Sequence, residues 1–344
     1  MTALRPSCWG RLAAIFVQAA FVLSMFAPVT FAQVTFALVL AASPASAETY
    51  PARSVTIVTP FAAGSQTDAA ARLLGQYLQD ALGQTFVIEN KAGAGGLIAA
   101  NTVARAKPDG YTLLLTTNST HSAVGLFKSV PYDPIKDFAP IARLGNFPSF
   151  VAVNINVPVT SMAELVARAK ANPGKLSYGV GNSTGQIVGE MLKKRTGVDI
   201  VRISYRSNPA AMTDLVAGHI DVMVPDMNNG LPQVKAQKIR ALAVLTKARN
   251  PLIPDVPTLH ETVMPDFETL AWAGMFGPAN TPPEVVSTLA NQMREMLAKP
   301  DMRERFAAPG IQVFWQGPQE FADFVKTELV RYNAMIKEAG IEPE

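Results

Sequence analysis

Ser54-Val55-Thr56-Ile57-Val58-Thr59 leads into Pro60-Phe61-Ala62-Ala63-Gly64-Ser65-Gln66-Thr67-Asp68, and an amphipathic stretch then runs from Thr67 to Leu82. A short run rich in β-branched residues, a turn and a helical period make a strand–turn–helix unit. The turn bears on function as well as fold, because backbone N–H groups at a helix start after a strand can hold an anion. Ser65 or Thr67 can cap that helix, and Asp68 sits in its first turn, where a carboxylate suits the helix dipole. An ordinary, well-capped turn accounts for these residues equally well.

The pattern repeats outward from this unit. Strands are expected at Thr85–Glu89, Thr112–Thr116, Phe150–Val153, Leu176–Tyr178, Val201–Tyr205, Asp221–Val224, Ala241–Leu245 and Ala271–Phe276. Helices are expected at Gly96–Ala106, Met162–Ala171, Gln186–Arg195 and Ala210–Ala217. Strands apolar on both faces and separated by helices read as α/β, with parallel sheets covered on both sides. Ser161-Met162-Ala163-Glu164 is a capping box, and Gly83 and Gly197 fall where a helix ends in a left-handed residue. Towards the C-terminus, long amphipathic helices (Pro282–Ala298 and Gln319–Ala339) flank one short strand, Ile311–Phe314. Arg249–Pro265, with four prolines and no period, reads as a surface crossing.

The first 47 residues carry Arg5 and Arg11, no acidic residue, and an apolar stretch from Leu12 to Ala42. They end in Ala45-Ser46-Ala47 before Glu48, the pattern of an export signal cleaved after Ala47. The stretch is also long enough for a membrane anchor, but small residues at the cut and the polar sequence after it favour export with cleavage. Cys8 precedes the apolar run, so cleavage leaves residues 48–344 without a cysteine.

Over 344 residues, 49% are hydrophobic and 17% charged, with 30 basic residues against 27 acidic. Such a chain can bury a large core. It has no basic block to hold a nucleic acid. With one cysteine and three histidines (His121, His219 and His260), structural zinc clusters and disulfide scaffolds are excluded. No metal or cofactor is expected.

A second glycine-rich turn, Tyr178-Gly179-Val180-Gly181-Asn182-Ser183-Thr184-Gly185-Gln186, again lies between strand and helix. Three glycines allow close approach to a ligand, and Asn182, Ser183 and Thr184 supply donors, so it reads as a binding loop. Lys91-Ala92-Gly93-Ala94-Gly95-Gly96 fails the dinucleotide pattern, since Ile98 stands at the third glycine position. Nothing indicates catalysis. Thr117-Asn118-Ser119-Thr120-His121-Ser122 sets hydroxyls beside a histidine only as chain neighbours, there is no G-x-S-x-G elbow, and Asp68 and Asp226 form an acid–base pair only if the fold joins them.

Tyr50–Val55, Val58-Thr59-Pro60-Phe61 with Gly64 and Asp68, Val87–Gly96, Pro108–Leu113, Asp137–Ile141, Tyr205–Ala210 with Thr213–Leu215, and Ala279-Asn280-Thr281-Pro282 occur in a specific order. In that order the chain resembles the substrate-binding proteins of tripartite tricarboxylate transporters, the Bug family, from about Tyr50 to the C-terminus. The resemblance implies a bilobed type II periplasmic binding-protein fold, with two parallel or mixed sheets covered by helices and a hinge between the lobes. One lobe would take residues 48–148 plus 271–344 and the other 149–270, with crossings near Phe147–Ser149 and Thr269–Ala271. It implies the periplasm as destination and a monomeric receptor that hands a small carboxylate to membrane transporter subunits; a secreted carboxylate-processing enzyme and a sensor for a membrane receptor are the alternatives.

The implied ligand contacts are the facing loops Phe61–Asp68 and Gly179–Gln186. The candidate set is Phe61, Ala62, Gly64, Ser65, Thr67, Asp68, Gly181, Asn182, Ser183, Thr184 and Gln186, completed by Ser119 and Asp226. Asp68 would contact a ligand amine or brace its loop. Phe61, Phe150 and Trp272 would form an apolar wall or belong to the core. Two departures fall at the ligand. Gly64-Ser65 replaces the usual glycine pair, where the serine could narrow the pocket or add a donor. The second loop is shorter than usual and lacks a histidine where Val188-Gly189-Glu190 stands.

Overall fold

The computed structural model describes residues 49–344; the expected export signal, with Cys8 and the cleavage point after Ala47, lies outside the described residues. Tyr50–Glu344 form one compact unit. The opening strand–turn–helix is present as β1 (Val55–Thr59) and α1 (Gln66–Leu82), followed by β2 (Phe86–Asn90), α2 (Leu97–Ala104), β3 (Thr112–Thr117), α3 (Asn118–Leu126) and β4 (Phe138–Phe147). The next stretch holds β5 (Phe150–Asn154), α4 (Met162–Ala171), β6 (Ser177–Val180), α5 (Ser183–Thr196), β7 (Val201–Ser204), α6 (Asn208–Ala217), β8 (Val222–Met223), α7 (Met227–Lys235) and β9 (Ile239–Val244). The chain closes with β10 (Ala271–Pro278), α8 (Pro283–Ala298), α9 (Pro300–Ala307), β11 (Gln312–Gln316) and α10 (Pro318–Glu338).

Two sheets result, ordered β11-β4-β10-β3-β1-β2 and β7-β6-β8-β5-β9. Each has a parallel part, β3-β1-β2 and β7-β6-β8. Each also has an antiparallel part, so the sheets are mixed, as the resemblance allows, and not purely parallel as the strand–helix pattern alone reads: β10 runs against β3 and β4, β11 against β4, and β5 against β8 and β9. The reason is where the chain changes sheets. β4 ends at Phe147 in one sheet and β5 starts at Phe150 in the other, leaving no length for a crossover helix. A strand that begins at the crossing must run away from it, and β3 and β8 run towards it. β10 starts at the return crossing and obeys the same constraint.

Several elements escaped the sequence reading. Pro140, Arg143 and Gly145 interrupt the apolar run of β4. α3 is buried at every position from Asn118 to Ala123, so it shows no amphipathic period. α7 contains Pro232, and α9 is a short helix opened by Pro300. The capping chemistry was legible. Gly83 and Gly197 close α1 and α5 in the left-handed region, each at φ 71°. Ser161 Oγ accepts from the Glu164 amide, while Glu164 reaches back to the Thr160 amide.

Helices α1 and α8 cover the first sheet with Leu74, Leu78, Leu289 and Met293; α4 and α5 cover the second with Met162, Leu165, Ile187 and Met191. Burying each such side chain contributes about 1.5–3 kcal/mol. Phe150 and Trp272 are both fully buried, Trp272 edge-on to Phe321 and Phe324. Arg249–Pro265 is a run of turns, as expected, but it is only partly at the surface: it pairs with β9 at Val244 and Thr258 and buries Leu259 and Met264 in the core. Among the described residues no helix is long and apolar enough to cross a membrane.

Candidate ligand-binding site

Five helices begin around one cavity. α1 contributes Ser65, Gln66 and Thr67; α3 contributes Thr117, Asn118 and Ser119; α5 contributes Asn182 and Thr184; α6 brings Asn208 and α7 brings Asp226. Phe61, Phe147, Ser149 and Ala271 complete the wall, so both strand crossings border the cavity. Its volume is about 30 Å³, room for a group the size of one or two waters. No lysine, arginine or histidine lines it. The positive charge available to an anion there is that of the helix N-termini, each equivalent to roughly half a unit charge, set against the Asp226 carboxylate in the wall.

Side-chain caps fix four of the five helix starts; Ser207, at the start of α6, makes no such bond. Ser65 Oγ accepts from the Asp68 amide at 3.2 Å, so the serine that departs from the family pattern is the N-cap of α1 as well as part of the wall. Thr117 Oγ1 accepts from the Ser119 amide at 3.3 Å, and Asn182 Oδ1 from the Gly185 amide at 2.9 Å. Asp226 Oδ1 accepts from the Asn229 amide at 3.0 Å, and its Oδ2 from Asn208 Nδ2 at 3.0 Å, which ties α6 to α7. Between α3 and α5 the two starts touch: Ser119 Oγ and Ser183 Oγ lie 2.8 Å apart, and Asn118 Nδ2 donates to the Ser183 and Thr184 hydroxyls, each at 3.4 Å. Replacing Asn182 by alanine is expected to lower unfolding stability by about 1 kcal/mol through loss of this cap. It should also weaken ligand binding, a combination that urea unfolding and calorimetric titration would separate.

The expected residues divide in space. Phe61, Ser65, Thr67, Ser119, Asn182, Thr184 and Asp226 line this cavity. Phe61 and Asn182 also wall a neighbouring cavity of about 220 Å³, whose lining includes Gly181, Ser183, Gln186, Tyr205 and Arg206. Ala62, Gly64 and Asp68 line neither. The Gly64 carbonyl accepts from Asn228 Nδ2 at 3.4 Å, so its loop meets α7. The Asp68 carboxylate is turned into its own loop, where it accepts from the Gly64 amide, Asn90 Nδ2 and Arg72 Nε at 3.0 to 3.1 Å. Burial works to raise its pKa, but those hydrogen bonds outweigh it and hold the carboxyl below the usual carboxylate range. Asp68 is a brace, and it is not brought together with Asp226 in the cavity.

The sequence reading missed Gln66, Asn118 and Asn208. A signal existed for Asn208: Ser207-Asn208-Pro209 is a polar cap followed by proline in the first turn of α6. Asn118 lies within the hydroxyl-rich run that drew attention to Ser119. His121, three residues into α3, faces away from the cavity into a cage of Phe138, Trp272 and Phe276. Its Nδ1 lies 3.2 Å from Thr120 Oγ1, and neither residue lines the cavity.

Two mixed α/β sheets joined by short crossings, with helix starts converging at the join, define the class of periplasmic solute-binding proteins. The chain belongs to the tripartite tricarboxylate transporter receptor family, whose model matches residues 70–341. Protein BugT of Bordetella pertussis is 34% identical over 303 residues, 87% of this chain and 93% of that protein. The structure of R. palustris Rpa4515 with adipate is 34% identical with a TM-score of 0.83, covering 86% of this chain and all of that one. MatC (Rpa3494) from Rhodopseudomonas palustris with bound malate is 32% identical with a TM-score of 0.79, covering 83% of this chain and all of that one. Membership makes the chain a periplasmic binding protein and a transporter receptor, not an enzyme.

Proposed function

We propose that the protein captures a small carboxylate between two lobes, residues 48–148 plus 271–344 and residues 149–270, and delivers it to the membrane subunits of a tripartite transporter. The observation that carries this reading is the convergence of five helix starts on a cavity with no basic side chain. A carboxylate there accepts from first-turn amides of helices belonging to both sheets, so its binding favours the state in which they are drawn together. The adipate and malate held by the two structural relatives fit the same class of ligand. We further infer that the leader is cleaved after Ala47 and that the receptor works as a monomer.

Thermal unfolding of the purified protein against mono-, di- and tricarboxylates tests the reading. A ligand at 100 times its dissociation constant stabilises the folded state by about 2.7 kcal/mol, a clear rise in melting temperature. The expected result is a shift with at least one acid, which is recovered chemically unchanged. A flat response across the panel, persisting after unfolding, dialysis and refolding, would remove the carboxylate assignment.

A further inference from the structure

The small cavity is shut in by its own wall. Every residue of that wall is buried except Asn182 and Ala271. Ala271 is paired with Phe147 in the β4–β10 ladder, so no gap opens there without parting two strands. Asn182 leads elsewhere. With Phe61 it also walls the neighbouring cavity of about 220 Å³, which carries the exposed residues Ala94, Gly95, Ser204, Arg206 and Glu344 in its lining. The larger cavity therefore connects the small one with solvent.

One residue is tied across that connection. The Glu344 amide donates to the Leu126 carbonyl and its carbonyl accepts from the Lys128 amide, both at 2.9 Å, which fastens its main chain to the end of α3. Its carboxylate accepts from Arg202 Nη2, on β7 at the edge of the second sheet. α3 follows β3 of the first sheet, so Glu344 joins the two sheets where it lines the larger cavity. A second tie lies earlier in the same segment, between Arg195 of α5 and Glu338 of α10 at 2.6 Å, but neither of these residues lines a cavity. We propose that the larger cavity is the way in and out of the small one and that Glu344 is a strap across it, released at Arg202 when a molecule passes. With side chains 30% and 52% exposed, this pair adds little to overall stability. It slows passage without locking the site. The inference holds for any occupant of the small cavity, so it stands apart from the carboxylate reading.

The test reads passage without any ligand. In a Cys8→Ser chain, Ser119→Cys places the only thiol in the wall of the small cavity, at a position 2% exposed. The rate of its alkylation by iodoacetamide at fixed pH then reports how often the route opens. Glu344→Gln and Arg202→Gln should each raise that rate about threefold. Both together should raise it no further, since they break the same pair. Deleting residues 342–344 removes the main-chain tie as well and should raise the rate at least tenfold. Glu338→Gln, which breaks the tie away from the cavities, should leave it unchanged. Should Ser119→Cys fail to give a native circular dichroism spectrum, Ser149→Cys, 5% exposed in the same wall, serves as the reporter. Rates unchanged by Glu344→Gln, Arg202→Gln and the deletion would overturn the proposal. Equal acceleration by Glu338→Gln would also overturn it, because the effect would then belong to α10 as a whole. So would alkylation as fast as that of a free thiol while the strap is intact, which would show that the small cavity is not shut in.

Discussion

Gly181→Ala is expected to weaken carboxylate binding at least a hundredfold. A Cβ at Gly181 would lie 2.5 Å from the backbone N of Asn208, 2.5 Å from the backbone C of Ser207 and 2.6 Å from Asn208 Oδ1. Two of these three atoms are main chain and have no rotamer to adopt, so α5 and α6 must separate at their starts. The substitution violates no backbone preference, because Gly181 is not among the positive-φ glycines. Its effect is one of space. Asn208 also donates to Asp226, so the displacement passes on to α7. Overpacking of this kind costs about 1–3 kcal/mol of stability, while binding suffers further because several helix amides must meet one small anion. Gly197→Ala is the control. Gly197 lies at φ +71° with open space around its Cβ position, so alanine there strains the backbone by about 1–2 kcal/mol at a distance from the ligand. Calorimetric titration and urea unfolding of both variants should show affinity lost in the first and stability lost in the second. Wild-type affinity in Gly181→Ala would show that the spacing of α5 and α6 does not control the site.

The second large effect is a loss of stability in mild acid, centred on His121. Burial pushes its pKa down from 6.5 to about 3, against a smaller upward influence of the hydrogen bond with the Thr117 backbone. Its Nδ1 lies 3.2 Å from Thr120 Oγ1, and its Nε2 is buried without a partner. The unfolded chain takes up a proton as the pH falls through about 6.5, whereas the folded chain takes none until about 3. The proton balance thus favours unfolding increasingly across that window. At pH 4.5 the loss is on the order of 2–3 kcal/mol. His121→Phe preserves the aromatic packing with Trp272 and Phe276 and should abolish most of this loss. Thr120 keeps its contacts with Thr116 Oγ1 and the Thr117 carbonyl in that variant. Urea midpoints at pH 7.5 and 4.5 provide the comparison. Equal acid sensitivity in wild type and His121→Phe would place the origin elsewhere. Asp68 acts in the same direction but lower on the pH scale, since a carboxyl held below its ordinary range loses its contribution only as it becomes protonated.

Where the sequence could be read, it was because a local rule operated. The β1–α1 unit, the left-handed glycines and the capping box at Ser161 each depend on neighbours within a few residues. The antiparallel strands depend on where distant segments cross between sheets, and no window around β10 or β5 records that. The site divides along the same line. Ser65 was legible as a cap, and Asn182 as a polar residue of a glycine-rich loop. Gln66 lines the wall while its side-chain amide donates to the carbonyl of Pro309, far along the chain. Asp68 was conspicuous in the sequence, yet Asn90 and Arg72 occupy its carboxylate, and only the folded β1–β2 pairing brings Asn90 there.

Ser149 and Ala271, at the two strand crossings, are also walls of the cavity. Any rotation of one sheet against the other about those crossings has its fulcrum beside the bound group. Displacement grows with distance from a fulcrum, so atoms at the ligand travel least and the outer rims travel most. If the proposed clamp closes by such a rotation, a slight settling of helix starts onto an anion would be geared up into a large movement at the surface, within reach of the proposed membrane partner and away from the ligand.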